Sequence, residues 1–175
     1  MAPGFYKLDF SELPALIAGF AFGPVAGILV EFIKLPIKVL LKPSETAFVG
    51  ELANFLIGCA LILPSSIIYR FYRKKKGAII GCVVGTIAMT IVGAVLNAFY
   101  LLPTFAVMFF GGEEALATIV GMGTEINPAI TNIETFVMFA VAPHNLLKAS
   151  CACILAMILY QPLRPLMKSG HKKNK

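Results

Sequence analysis

The chain has 175 residues, 58% of them hydrophobic and 14% charged, with a mean hydropathy of +0.85. Soluble domains carry roughly 25% charged residues, so an ordinary soluble fold is excluded and a single all-α domain embedded in a lipid bilayer is expected. The net charge of +6 comes from basic residues grouped at the ends of apolar runs, the pattern of membrane topology rather than of a nucleic-acid surface.

Apolar runs of this length mean helices, because backbone groups in lipid must be hydrogen-bonded internally. The first twelve residues lack an apolar core segment, so no cleavable signal is expected. Residues 1–12 are polar and aromatic and include Leu8, Asp9 and Phe10. Ser11-Glu12-Leu13-Pro14 reads as a helix start, with Ser11 near the N-cap and Pro14 in the first turn. Leu13–Phe22 is a short apolar helix, Gly23-Pro24 interrupts it, and Val25–Leu41 is another. Ala15, Gly19, Gly23 and Gly27 recur every four residues, a ridge that lets helices approach closely. Residues 13–42 form either one kinked span or a tight hairpin.

A span over 46–70 carries Glu51 and Asn54 near its start. Arg70, Arg73, Lys74, Lys75 and Lys76 follow at once and mark that side as cytoplasmic. The next span covers 77–103, with Gly81-x-x-x-Gly85 near its cytoplasmic end, Asn97 near the far end and Pro103 closing it. Residues 104–133 contain no Lys or Arg and read as an extracellular loop. A last span over 134–163 is interrupted near Pro143. Arg164, Lys168, Lys172, Lys173 and Lys175 then place the C-terminal tail, 164–175, in the cytoplasm of a multi-pass cell-membrane protein.

Lys148 lies in that last span. A central lysine costs roughly 2.5–3.5 kcal/mol on insertion scales, so it needs a partner, a cavity or a role; the alternative is a lysine snorkelling to the headgroups. Asn145 lies three residues before it on the same helical face. The topology brings Glu51, Asn54, Asn97, Asn145 and Lys148 into the outer half of three neighbouring helices, the convergence of polar groups expected of a small-molecule site. Glu51 is expected to couple to Lys148, directly or through water or Asn54; N-terminal capping is its other reading. Lys34, Lys38 and Lys42 precede the second span, and only snorkelling accounts for them.

Catalytic signatures are missing. There is no P-loop, no nucleophile elbow, and no metal-ligand spacing around His144 or His171. Cys59, Cys82, Cys151 and Cys153 lie in apolar runs and read as inert thiols. The chain is read as a binding and transport protein, not an enzyme, with no cofactor.

Several stretches resemble a known family. Lys7–Leu16 and Phe22–Gly27, Phe48–Phe55, Lys76–Gly81, Leu96–Pro103 and His144–Lys148 are similar, in order, to the riboflavin-binding substrate-capture subunits (RibU type) of energy-coupling factor (ECF) transporters, which usually have Phe where His144 stands. The resemblance implies a bundle of six transmembrane helices, of which this chain has room for about five, lacking the first. It also favours the hairpin for 13–42. By motif it places two ring-binding asparagines and a lysine on Asn97, Asn145 and Lys148, with Tyr100 in the same motif as Asn97. It implies that the loop around Leu8, Asp9 and Phe10 closes over the ligand. The implied ligand is riboflavin, carried as cargo rather than held as a cofactor. The implied partners are a coupling (T) subunit and two ATPase subunits. Another vitamin or flavin mononucleotide as cargo, or a structural membrane subunit, are the rival readings.

Overall fold

A computed structural model describes residues 11–41, 48–111 and 114–169. Its elements are α1 (Glu12–Phe22), α2 (Pro24–Leu41), α3 (Val49–Phe71), α4 (Lys75–Leu96), α5 (Leu102–Phe110), α6 (Glu114–Ile126), α7 (Ile133–Phe136) and α8 (Ala142–Ser169). No strand occurs among the described residues. Among the described residues, three continuous helices are long and apolar enough to cross a membrane: Val49–Phe71, Lys75–Met108 and Ile133–Tyr160. Large apolar side chains such as Ile80, Val83, Ile87, Ile91 and Val95 on α4 are exposed. In water such a surface is a liability, whereas in a bilayer it is the lipid-facing side. The protein is an all-helical membrane bundle.

Helices α1 and α2 form an antiparallel hairpin. Gly23 turns the chain with φ 104° and donates its N–H to the Gly19 carbonyl at 3.0 Å. That positive φ strains any residue with a Cβ. The helices then close on one another. A Cβ on Gly27 would lie 3.1 Å from Gly19 Cα and 3.0 Å from the Ala15 carbonyl oxygen. Ser11 occupies the N-cap position of α1, but its side chain makes no capping bond. Pro14 sits in the first turn, where its missing N–H costs no intrahelical bond.

Helix α1 packs against α2, α3 and α8, and α4 packs between α3 and α8. The core they share includes Leu16, Phe20, Ile57, Leu61, Tyr69, Met89, Ala152 and Tyr160. Small residues carry the closest approaches. The Ser65 hydroxyl donates to the Leu61 carbonyl at 2.7 Å and lies 2.9 Å from the Gly81 carbonyl across the α3–α4 interface.

One span runs further than the sequence suggests, and another passes its expected interruption as a continuous helix. Pro103 does not close its span. The helix passes through a π turn at Asn97–Leu101 and continues as α5 to Phe110, where Gly111 ends it with φ 80°. The same device recurs at Val137–Val141, between α7 and α8. Each π turn ends two residues before a proline, Pro103 or Pro143. Proline removes an N–H donor and crowds the carbonyl four residues back; one extra residue in the turn accommodates both without ending the helix. The stretch 104–133, read as a loop, accordingly holds most of α5 and all of α6. These two helices pack through Leu102, Ala106 and Ile119 onto Ile130, Phe136 and Val141. Helix α7 starts at a reciprocal cap: Asn132 Oδ1 accepts from the Thr135 N–H at 2.8 Å, and Thr135 Oγ1 accepts from the Asn132 N–H at 2.9 Å.

Candidate functional site

Lys148 lies on the inner face of α8, 5% exposed, and its ammonium is not snorkelling. It donates to Asn54 Oδ1 on α3 at 3.2 Å and pairs with Glu12 Oε1 on α1 at 2.8 Å. Glu12 is fully buried and is shared: its other oxygen lies 3.1 Å from the Lys34 ammonium on α2. Lys34 also pairs with Glu31, one turn back on α2 and likewise fully buried. Four groups thus alternate in sign as Lys148, Glu12, Lys34 and Glu31. Ions in a low-dielectric interior persist only when paired, and here each has an opposite neighbour. Gly58 on α3 makes the room. A Cβ there would fall 2.7 Å from Glu12 Oε2 and closer still to Glu31 Oε1.

The asparagines meet at Gly93. Asn97 begins the first π turn, is 4% exposed, and donates through Nδ2 to the Gly93 carbonyl at 2.8 Å. Asn145, 5% exposed, lays its amide over the same glycine, where any Cβ would collide with it. Among the described residues, the buried Asn145 Nδ2 has no hydrogen-bond partner. A buried amide donor left unpaired costs about 1–3 kcal/mol. Lys148 thus bonds Asn54, and Asn145, three residues before Lys148 on α8, shares Gly93 with Asn97.

Glu51 and Tyr100 lie elsewhere. Both line a separate groove of about 680 Å³ whose other walls are Leu35, Pro36, Val39, Leu40, Phe48, Val49 and Leu52. The groove shares no lining residue with the cluster, yet the two are adjacent layers. Glu51 precedes Asn54 by one turn on α3, and Tyr100 follows Asn97 by three residues in the π turn. The carboxylate in direct contact with Lys148 is Glu12, and its amide partner is Asn54, the residue through which Glu51 was expected to couple. Leu8, Asp9 and Phe10 lie outside the described residues, as does Lys42.

Sequence reading took Glu12 only as a helix start and left Lys34 to snorkelling. The signal that pairs them was present: Glu12 and Lys34 are equidistant from Gly23, so a tight hairpin sets them side by side. Among the described residues no group of three His, Cys, Asp or Glu is placed to hold a metal, and Cys59, Cys82, Cys151 and Cys153 are free thiols.

These features define a class: a helical membrane protein with a buried polar cluster of binding type between its helices. Residues 1–160 match the family described as ECF transporter, substrate-specific component, and the chain belongs to that family. It is the substrate-capture subunit of an ECF transporter, located in a membrane, and its family is one of transporter components rather than enzymes. It is 35% identical over 166 residues to Riboflavin transporter RibU of Staphylococcus aureus, covering 95% of this chain and 79% of that protein. It is 30% identical over 164 residues to Riboflavin transporter FmnP of Bacillus subtilis, covering 93% and 79%. A solved structure described as the S component of a bacterial ECF transporter superposes with a TM-score of 0.69 at 34% identity, covering 96% of this chain and 83% of that one.

Proposed function

We propose that this subunit binds riboflavin from outside the cell at the Asn97–Asn145–Lys148 cluster, for uptake driven by a separate coupling subunit and two ATPases. The observation that carries the reading is the buried Asn145 Nδ2, unpartnered among the described residues and one turn before the buried Lys148 on α8. The pyrimidine edge of a flavin alternates carbonyl oxygens with an N–H. An asparagine amide can pair with such an edge in both senses, and a lysine can donate to a ring carbonyl. The names of the two relatives support the same cargo. Glu51 and Tyr100 border the way in, and Leu8, Asp9 and Phe10 belong to the segment that would close over the ligand.

Orientation follows from charge. Arg70 to Lys76 form the basic turn between α3 and α4, and such turns stay in the cytoplasm. That puts the start of α3, the first π turn and the start of α8 outside, and the C-terminal tail inside. The cluster then lies one turn below the outer groove.

The site takes riboflavin in preference to its phosphate. A phosphate dianion needs Arg, Lys or a helix N-terminus, and Lys34 is already committed to Glu12 and Glu31. The test is a titration of purified protein with riboflavin, followed by flavin fluorescence. Saturable quenching at micromolar protein is expected, and its absence in folded protein overturns the assignment. Competition by flavin mononucleotide as strong as by riboflavin overturns the selectivity.

A further inference from the structure

We propose that Glu12 is the counter-ion and positioning residue of Lys148 and that, with Lys34 and Glu31, it matches the Lys148 ammonium within a balanced set of four buried charges, so that the site selects a ligand uncharged where Lys148 reaches it. This rests on the reading of Lys148 as ligand-binding and adds to it which chemical form of the ligand is accepted.

The argument begins with proximity. Among the described residues Lys148 bonds two side chains, Glu12 on α1 and Asn54 on α3. Asn54 is neutral and fixes direction only. Glu12 supplies charge, and it is fully buried. Water therefore does not screen it, and its effect on a bound molecule is far larger than at a surface. Two cations and two anions alternate through the cluster. Two further groups stand near. His144 lies one turn before Lys148 on α8, half-buried, and Glu51 lies in the outer groove rather than on Lys148.

A lone buried ammonium would attract anions strongly. An ammonium already matched by Glu12 donates hydrogen bonds without offering net positive charge. Such a site suits a neutral heterocyclic carbonyl and penalises an anionic ring. Gly58 is part of the arrangement, because its missing side chain leaves room for Glu12 and Glu31 together. Lys34 completes it. Without Lys34 the two carboxylates would share Lys148 alone, which pairs with Glu12 and not with Glu31.

The proposal predicts an ordering of ligand preferences. The probes are riboflavin and its 8-hydroxy analogue, which is an anion at neutral pH with charge spread into the pyrimidine ring. The unaltered protein should bind riboflavin more tightly than the analogue. Glu12→Gln should weaken riboflavin by about tenfold, the scale of one hydrogen bond to a charged group, while the analogue loses less, so that the preference narrows or reverses. Lys34→Met, which touches no ligand, should move the ratio the other way. Glu12→Gln with Lys34→Met restores a zero sum and should return the ratio toward that of the unaltered protein. Equal weakening of both ligands by Glu12→Gln means a merely structural role and overturns the proposal, as does an unchanged ratio. Should Glu12→Gln not fold, Lys34→Met alone decides through the direction of its shift. Failure of the unaltered protein to bind riboflavin would instead strike the function proposed above, so the two failures are distinguishable.

Discussion

The two ends of the bundle close by opposite means. Around Phe20, Ser65, Tyr69, Gly81 and Tyr160 the contacts described are between neutral groups. The Phe20 and Tyr69 rings lie 5.0 Å apart, Tyr69 and Tyr160 share a hydroxyl bond of 3.2 Å, and Ser65 spans α3 and α4. Around Glu12, Glu31, Lys34 and Lys148 the same helices bury four ionisable groups. Small residues and single neutral bonds suffice to hold membrane helices together. Buried ions do not add stability on balance, since well-packed apolar residues often do as well or better. The charged end is therefore specialised for something besides cohesion, and it is the end where Asn145 keeps an unpaired donor.

The largest test breaks the charged end. Lys148→Met leaves Glu12 with Lys34 alone for two buried carboxylates, and removing one partner of a buried pair typically costs about 3–5 kcal/mol. Thermal unfolding of the detergent-solubilised variant should show a loss of that order. Riboflavin affinity should fall by about 1.5–3 kcal/mol in a fluorescence titration, the range for a hydrogen bond to a charged group. A variant as stable as the parent would mean that the four-charge arrangement does not exist.

Gly58→Ala attacks the same end through shape. The new methyl has no room beside Glu12 and Glu31, and overpacking a filled site costs about 1–3 kcal/mol. The lost melting temperature should be smaller than for Lys148→Met, and Glu31→Gln should relieve part of it. No relief would place the clash with the backbone instead of the carboxylates.

Much of this was legible beforehand, for reasons that differ from element to element. Helices α3, α4 and α8 announce themselves by apolar length. Asn54, Asn145 and Lys148 fall in one layer once the basic turn at Arg70–Lys76 orders the helices. The Glu12–Lys148 pair was hidden because it depends on how the α1–α2 hairpin docks, a tertiary fact with no local periodicity. The continuation past Pro103 was hidden because proline is ordinarily a stop, and only a π turn reveals otherwise. Glu51 sits one turn from Asn54 on α3, but that Glu12 is the carboxylate touching Lys148 depends on how neighbouring helices dock, and one helical turn sets only depth.

At the neutral end the effects should be modest. Ser65→Ala removes the bond to Gly81 and the back-bond to Leu61. Interhelical hydrogen bonds inside membranes average about 0.6 kcal/mol, so unfolding should shift only slightly and riboflavin binding not at all. A large loss of affinity from Ser65→Ala would erase the division of labour between the two ends.

The smallest effect sharpens the boundary between the charged cluster and the groove above it. Glu51 lines the groove with Tyr100, while Lys148 takes its carboxylate from α1. Glu51→Gln and Lys148→Met should therefore be additive, with an interaction energy within about 0.5 kcal/mol in both stability and riboflavin affinity. The cycle built on Glu12→Gln and Lys148→Met should show clear coupling, because its two side chains are in contact. The contrast between the cycles matters more than either alone. Both variants of Glu51 and Glu12 remove one carboxylate from the ligand end of the bundle, so a general field from negative charge would couple each to Lys148. Contact through a 2.8 Å pair couples only Glu12. Equal coupling in the two cycles would show that Lys148 responds to the summed charge of that end, and Glu12 would lose its special place as its partner.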